Sequence, residues 1–122
     1  MILAIAVGLG GAFGSVSRFL IDGAVQDRSR GAFPFGTFSV NVLGSFILGV
    51  LTGLFWYHGL AGSLDAVLGT GLCGGLTTWS TASWETVRLA EIGMPGKALL
   101  KAAGGIGVAM LAAGIGILIA SR

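Results

Sequence analysis

Charge is scarce in this sequence. Only 10% of its 122 residues are Asp, Glu, Lys or Arg, and seven basic against five acidic side chains leave a net charge of +2. No basic cluster accompanies exposed aromatics, which argues against a nucleic-acid partner. The single cysteine, Cys73, cannot close an internal disulfide. The single histidine, His58, has no companions at metal-ligand spacing. There is no nucleophile–base–acid set and no phosphate-binding glycine loop, so catalysis is not expected. The N-terminus lacks a charged leader and a small-residue cleavage site, so its apolar run reads as a retained helix rather than a signal peptide.

What fills the sequence instead is apolar: 54% hydrophobic residues, with 23 glycines and a mean hydropathy of +0.93. That is membrane composition. A bilayer core of about 30 Å takes about 20 helical residues at 1.5 Å each, and four stretches fit: Ile2 to Ile21, Gly36 to Tyr57, Leu64 to Leu89 and Leu99 to Ala120. The short connections leave no room for a soluble domain. The expectation is an all-α membrane protein, one domain over residues 1–122, with four transmembrane helices.

The third of these helices should be broken at its middle. Its stretch Gly71-Leu72-Cys73-Gly74-Gly75-Leu76-Thr77-Thr78-Trp79-Ser80-Thr81-Ala82-Ser83 combines adjacent glycines with five hydroxyls. Ten residues from Leu64 to Cys73 span about 15 Å, half a bilayer, which puts the Gly74-Gly75 break near the midplane. Open backbone in hydrocarbon persists only where it is buried in protein or lines a path. Freed carbonyls there could bind a cation, and Thr77, Thr78, Ser80 and Thr81 could line that path. The simpler alternative is a kink satisfied by Ser and Thr back-bonding.

The other helices carry their own signals. Thr37, Asn41, Ser45, Gly49 and Gly53 recur every four residues and form one small, polar ridge on the second helix. Asn41 is either glue between helices or an N–H donor to a passing anion. Arg18, the one charge inside the first apolar run, either snorkels to the interface or raises anion concentration at a vestibule. Gly10 and Gly14, Gly49 and Gly53, and the glycines of the fourth helix suggest tight packing. In so small a subunit, those faces are expected to meet a second copy. Glu85 and Arg88, three apart, are expected to pair. Trp56, Tyr57 and His58 read as an interfacial belt.

Basic residues set orientation. The first and third connections with their helix ends carry Arg18, Arg28, Arg30, Arg88, Lys97 and Lys101, against Arg122 alone on the other side. This predicts the first and third loops in the cytoplasm of a cell membrane and both termini outside.

The runs Gly10-Gly11-Ala12-Phe13-Gly14 leading to Arg18, Gly36-Thr37 leading to Val40-Asn41, and Gly71 to Thr78 resemble the Fluc (CrcB) family of fluoride channels over nearly the whole chain. The resemblance implies an antiparallel dimer of four-helix subunits with two fluoride pores. It implies that Asn41 faces the pore, that Thr37, Ser80 and Thr81 form a polar track, and that Arg18 sits in the vestibule. Gly74 and Thr77 would give backbone carbonyls to a structural Na⁺ between the subunits. Fluoride enters such a pore only if fixed donors replace its water, and amides, hydroxyls and aromatic edges supply them.

The sequence departs from the family where two phenylalanines usually stand: here they are Trp79 and Ala82. Trp79 still offers a ring edge or an indole N–H; Ala82 offers neither. A chain so strongly biased in charge would also have difficulty supplying its own inverted partner. Both features suggest half of a heterodimer whose partner inserts the opposite way and keeps the phenylalanines. The alternatives are a homodimer with a modified pore and a non-conducting subunit that only supports its partner. A drug-exporting antiporter is disfavoured, because the first helix has no carboxylate.

Overall fold

The computed structural model describes all 122 residues, Met1–Arg122, and every regular element is helical. Helix α1 runs Ile2–Arg28 and α2 runs Phe35–His58. The next helix, α3 (residues 62–76), opens with one α turn, widens into π geometry over Ala66–Cys73 and closes with the α turn Gly74–Leu76. After two extended residues the chain resumes as α4, Trp79–Glu91. The last helix, α5, covers Pro95–Ala120, with a π segment at Leu100–Gly104. Three of these, α1, α2 and α5, are long and apolar enough to cross a membrane unbroken. The remaining span is α3 and α4 taken together, interrupted as the sequence suggests.

Helix boundaries follow local chemistry. Gly59 (φ 68°) and Gly93 (φ 82°) take the left-handed conformation that ends α2 and α4. Pro95 starts α5, where its missing N–H would have had no partner. Helix α1 continues seven residues past the expected Ile21. No glycine or proline halts it before Gly31, apart from Gly23, which the helix absorbs, and the Arg28 guanidinium caps the Ala24 carbonyl at 2.7 Å. Only residues 29–34 connect α1 to α2.

The glycine faces meet inside one subunit, which corrects the expectation that they await a second copy. A side chain at Gly10 would collide with the Val67 carbonyl (2.7 Å), and one at Gly14 with the backbone of Leu72 and Leu76. From the other side, Gly71 lies against Val7 and Gly75 against Gly11. Thus α1 and α3 touch backbone to backbone. The same holds for α2 and α5, where Gly49 abuts Ala113, Gly53 abuts Ile117 and Ala120, and Gly116 abuts Phe46 and Val50. Helices this close gain dispersion contacts that lipid cannot replace, which is how apolar helices associate in a bilayer. The glycines of α5 that have open space, Gly105, Gly107 and Gly114, lie outside these contacts.

A second correction concerns ion pairs. Glu85 and Arg88 do not pair. Arg88 reaches Glu91 instead, at 3.3 Å and exposed, while Glu85 turns inward to Lys101 on α5 at 3.0 Å. Spacing on one helix showed which residues could meet, but burial chose the partner on a different helix.

Candidate functional site

The break in the third span falls at Thr77-Thr78, three residues beyond the glycines. Gly74 is helical (φ −62°, ψ −38°), whereas Thr77 (φ −87°, ψ 159°) and Thr78 (φ −149°, ψ 124°) are extended. Glycine permits a break but does not require one. What fixes the position is where the freed backbone groups find partners. Asn41 on α2 supplies them: its Oδ1 accepts from the Thr78 N–H at 2.7 Å, and its Nδ2 donates to the Thr78 carbonyl at 3.0 Å. One amide thus serves Thr78 as a neighbouring strand would.

Several of the remaining groups at the break also find partners within the chain. Thr77 Oγ1 donates to the Cys73 carbonyl at 2.9 Å, and its N–H reaches the same oxygen at 3.0 Å. Thr78 Oγ1 caps α4 by accepting from the Thr81 N–H at 3.3 Å. Arg18 on α1 donates to the Thr77 carbonyl at 3.3 Å, so its guanidinium sits at the break. Ser15 reaches the Gly75 carbonyl at 3.5 Å. Replacing Arg18 by methionine should lower stability by about 1.5–3 kcal/mol, the range for a hydrogen bond from a charged donor. Chemical unfolding of the detergent-solubilised protein would measure it.

A second polar cluster lies nearer the third connection. Thr37, 1% exposed, donates from its hydroxyl to Glu85 Oε1 at 2.8 Å. Lys101, 5% exposed, approaches Glu85 Oε2 at 3.0 Å and donates to the Ala82 carbonyl at 3.2 Å. The contact with Glu85 Oε2 is ionic without hydrogen-bond alignment, since that oxygen has no directional donor. Charged groups this deep in an apolar helical protein are costly and are found where ions pass or where they pair.

Between α2, the break, α4 and α5 runs an open groove of about 580 Å³. Its polar lining includes Asn41, Ser45, Thr78, Ser83, Thr86 and Lys101, with Trp79 and Ala82 alongside. Of the residues expected to form an ion path, Asn41 and Trp79 line this groove, and so do Gly74 and Thr77. Thr37 lies behind the wall, bonded to Glu85. Ser80 and Thr81 are exposed at the start of α4, outside the lining, and Arg18 approaches the break from α1. Ser83, Thr86 and Lys101 were not singled out as lining from the sequence. The four-residue step from Thr78 through Ala82 to Thr86 was the available signal for α4. Lys101 gave none, because its spacing suited a loop-end charge.

A cation at the break would have to be held by backbone oxygen. No group of three His, Cys, Asp or Glu side chains comes together anywhere in the chain. Among the carbonyls that lose their helical partners at the break are those of Gly74 and Thr77: the Thr78 N–H that would have reached Gly74 goes to Asn41, and the Thr81 N–H that would have reached Thr77 goes to Thr78 Oγ1. The Thr77 oxygen keeps one lone pair beside Arg18, and a side chain at Gly74 would meet nothing within 4 Å. Hard carbonyl oxygens suit an alkali cation, so these residues fit such an ion.

A family model described as CrcB-like protein, Camphor Resistance (CrcB), matches residues 5–117. The chain is 45% identical over 116 residues to the fluoride-specific ion channel FluC 1 of Leifsonia xyli subsp. xyli, covering 95% of this chain and 85% of that one. It is 42% identical over 120 residues to the fluoride-specific ion channel FluC of a Sulfurovum species, covering 98% and 94%. It is 43% identical over 109 residues to the fluoride-specific ion channel FluC 2 of Haloarcula marismortui, covering 89% and 86%.

Proposed function

The chain belongs to the CrcB family, and from that membership we propose that it is a subunit of a dimeric, fluoride-selective channel that passively exports fluoride from the cytoplasm and lowers its toxicity. It is a transport protein and not an enzyme. The observation that carries the reading is the groove along the broken span, where an amide, hydroxyls and a lysine lie inside an apolar helical protein. Fluoride gives up its hydration only to fixed donors of this kind. No energy source is required, because an inside-negative potential drives an anion outward by about 2.3 kcal/mol per 100 mV.

The groove is open on one side, and in this reading an antiparallel second subunit closes it. Asn41 and Trp79 line the fluoride pathway in the groove, with Arg18, Thr37, Ser80 and Thr81 supporting it from its ends and from behind. Na⁺ at the subunit boundary would be held by the Gly74 and Thr77 carbonyls and would supply structural cohesion. The subunit lies in the cell membrane with its first and third loops cytoplasmic.

A second reading rests on Ala82, which presents no ring or donor along the groove, and on the six-to-one distribution of basic residues. In it the chain is the pore-supporting half of a heterodimer whose partner has the opposite charge bias. The numbered names FluC 1 and FluC 2 among the relatives fit that arrangement.

Fluoride efflux from liposomes containing this chain alone, followed with a fluoride electrode against a chloride control, tests both. Efflux of fluoride without chloride is the expected result and supports self-pairing. Efflux that appears only after co-reconstitution with an oppositely biased relative would favour the heterodimer. Equal efflux of chloride would overturn selectivity.

A further inference from the structure

Lys101 is the only charged residue in the lining of the groove. Its ammonium is fixed from behind: the Glu85 carboxylate stands 3.0 Å away, and the Ala82 carbonyl accepts one hydrogen bond at 3.2 Å. Glu85 is itself held by the Thr37 hydroxyl on α2, at 2.8 Å. Neither Glu85 nor Thr37 reaches the groove. An ammonium has three N–H donors, and only one is engaged in an aligned hydrogen bond. The wall therefore carries a cation with N–H capacity beyond its bond to Ala82, while the compensating carboxylate lies outside the lining.

We propose that Lys101 is the anion-attracting residue of this groove, and that Glu85 and Thr37 position it. The proposal rests on the channel reading above. A fixed cation in a low-dielectric cleft concentrates anions locally. Its paired carboxylate moderates that pull, so that an anion is drawn in without being trapped, which conduction requires. Ser83 on the adjoining α4 places a hydroxyl along the same wall, a donor able to replace water around a small, strongly hydrated anion, whereas the Thr86 hydroxyl is committed to the Ala82 carbonyl at 2.8 Å. Ala82 leaves the space beside Lys101 unfilled by any larger side chain.

The test is the concentration dependence of fluoride efflux for K101M/E85Q, with K101R as the conservative control. Replacing both members of a buried pair with neutral groups of similar size avoids an unpaired buried charge and keeps the fold. The double variant is expected to unfold at the wild-type temperature while its half-saturating fluoride concentration rises by at least about tenfold, the lower bound for charge focusing in a cleft. K101R is expected to keep the wild-type value. A merely structural pair would lower the maximal rate through lost active protein and leave half-saturation unchanged, and that result would overturn the proposal. Absence of fluoride efflux from the wild type, alone and with a relative, would overturn the proposal together with the function beneath it.

Discussion

Replacing Asn41 by alanine is expected to cost about 2–4 kcal/mol of stability and most of the fluoride efflux. The side chain makes two hydrogen bonds to one residue, Thr78, and no nearby group takes its place. Its loss leaves a backbone N–H without an acceptor inside the protein, at about 1–3 kcal/mol, and removes a donor from the Thr78 carbonyl, at about 1 kcal/mol. At 1.4 kcal/mol per tenfold, the clamped conformation would lose its population by roughly thirtyfold to several hundredfold. Asn41→Asp separates the two halves of the clamp. It retains an acceptor for the Thr78 N–H but turns a second oxygen towards the Thr78 carbonyl, so it should be no better than alanine. Chemical unfolding in detergent and efflux from liposomes would both report the change. An alanine variant with wild-type stability and efflux would remove Asn41 from the site.

Alanine at Gly14 is expected to separate α1 from α3, whereas alanine at Gly8 should be tolerated. A Cβ at Gly14 would overlap the Leu72 carbonyl and lie 2.9 Å from the Leu76 nitrogen. Both are backbone atoms, so no rotamer change relieves the overlap, and the helices must shift. Overpacking of this kind costs about 1–3 kcal/mol. At Gly8, nothing lies within 4 Å of the added carbon. There the same substitution should gain about 0.5–1 kcal/mol, since alanine gives up less backbone freedom in a helix. The two variants should thus move unfolding in opposite directions. A Gly14→Ala protein as stable as the wild type would show that α1 and α3 can part without loss.

Much of this architecture was legible in composition and hydropathy. Four apolar lengths, a broken third span and a small, polar ridge that includes Asn41 can be read from residue types and spacing alone, because lipid imposes length and backbone satisfaction on every segment. What could not be read was partner choice across the chain. Gly74-Gly75 marked where the backbone could open, but the opening lies at Thr77-Thr78 because Asn41, 37 residues earlier, binds Thr78. Glu85 had a cation three residues away at Arg88, and its actual partner is Lys101 on another helix. The glycine faces announced close packing and pointed to a second copy, but they meet helices of the same chain. In each case the deciding contact was distant in sequence, where spacing along one helix carries no information.

The clamp also has a consequence for the order of assembly. Residues 62–76 reach about 22 Å as a helix, and the 13 residues of α4 about 20 Å; neither alone crosses a core of about 30 Å. Neither half can therefore settle in the bilayer as an independent segment, since the junction between them would expose bare peptide groups to lipid. The side chain that shields the junction belongs to α2, which leaves the ribosome first. The third span emerges into a membrane where its template already waits, so a chain in which α2 followed α3 should insert poorly even with every residue retained.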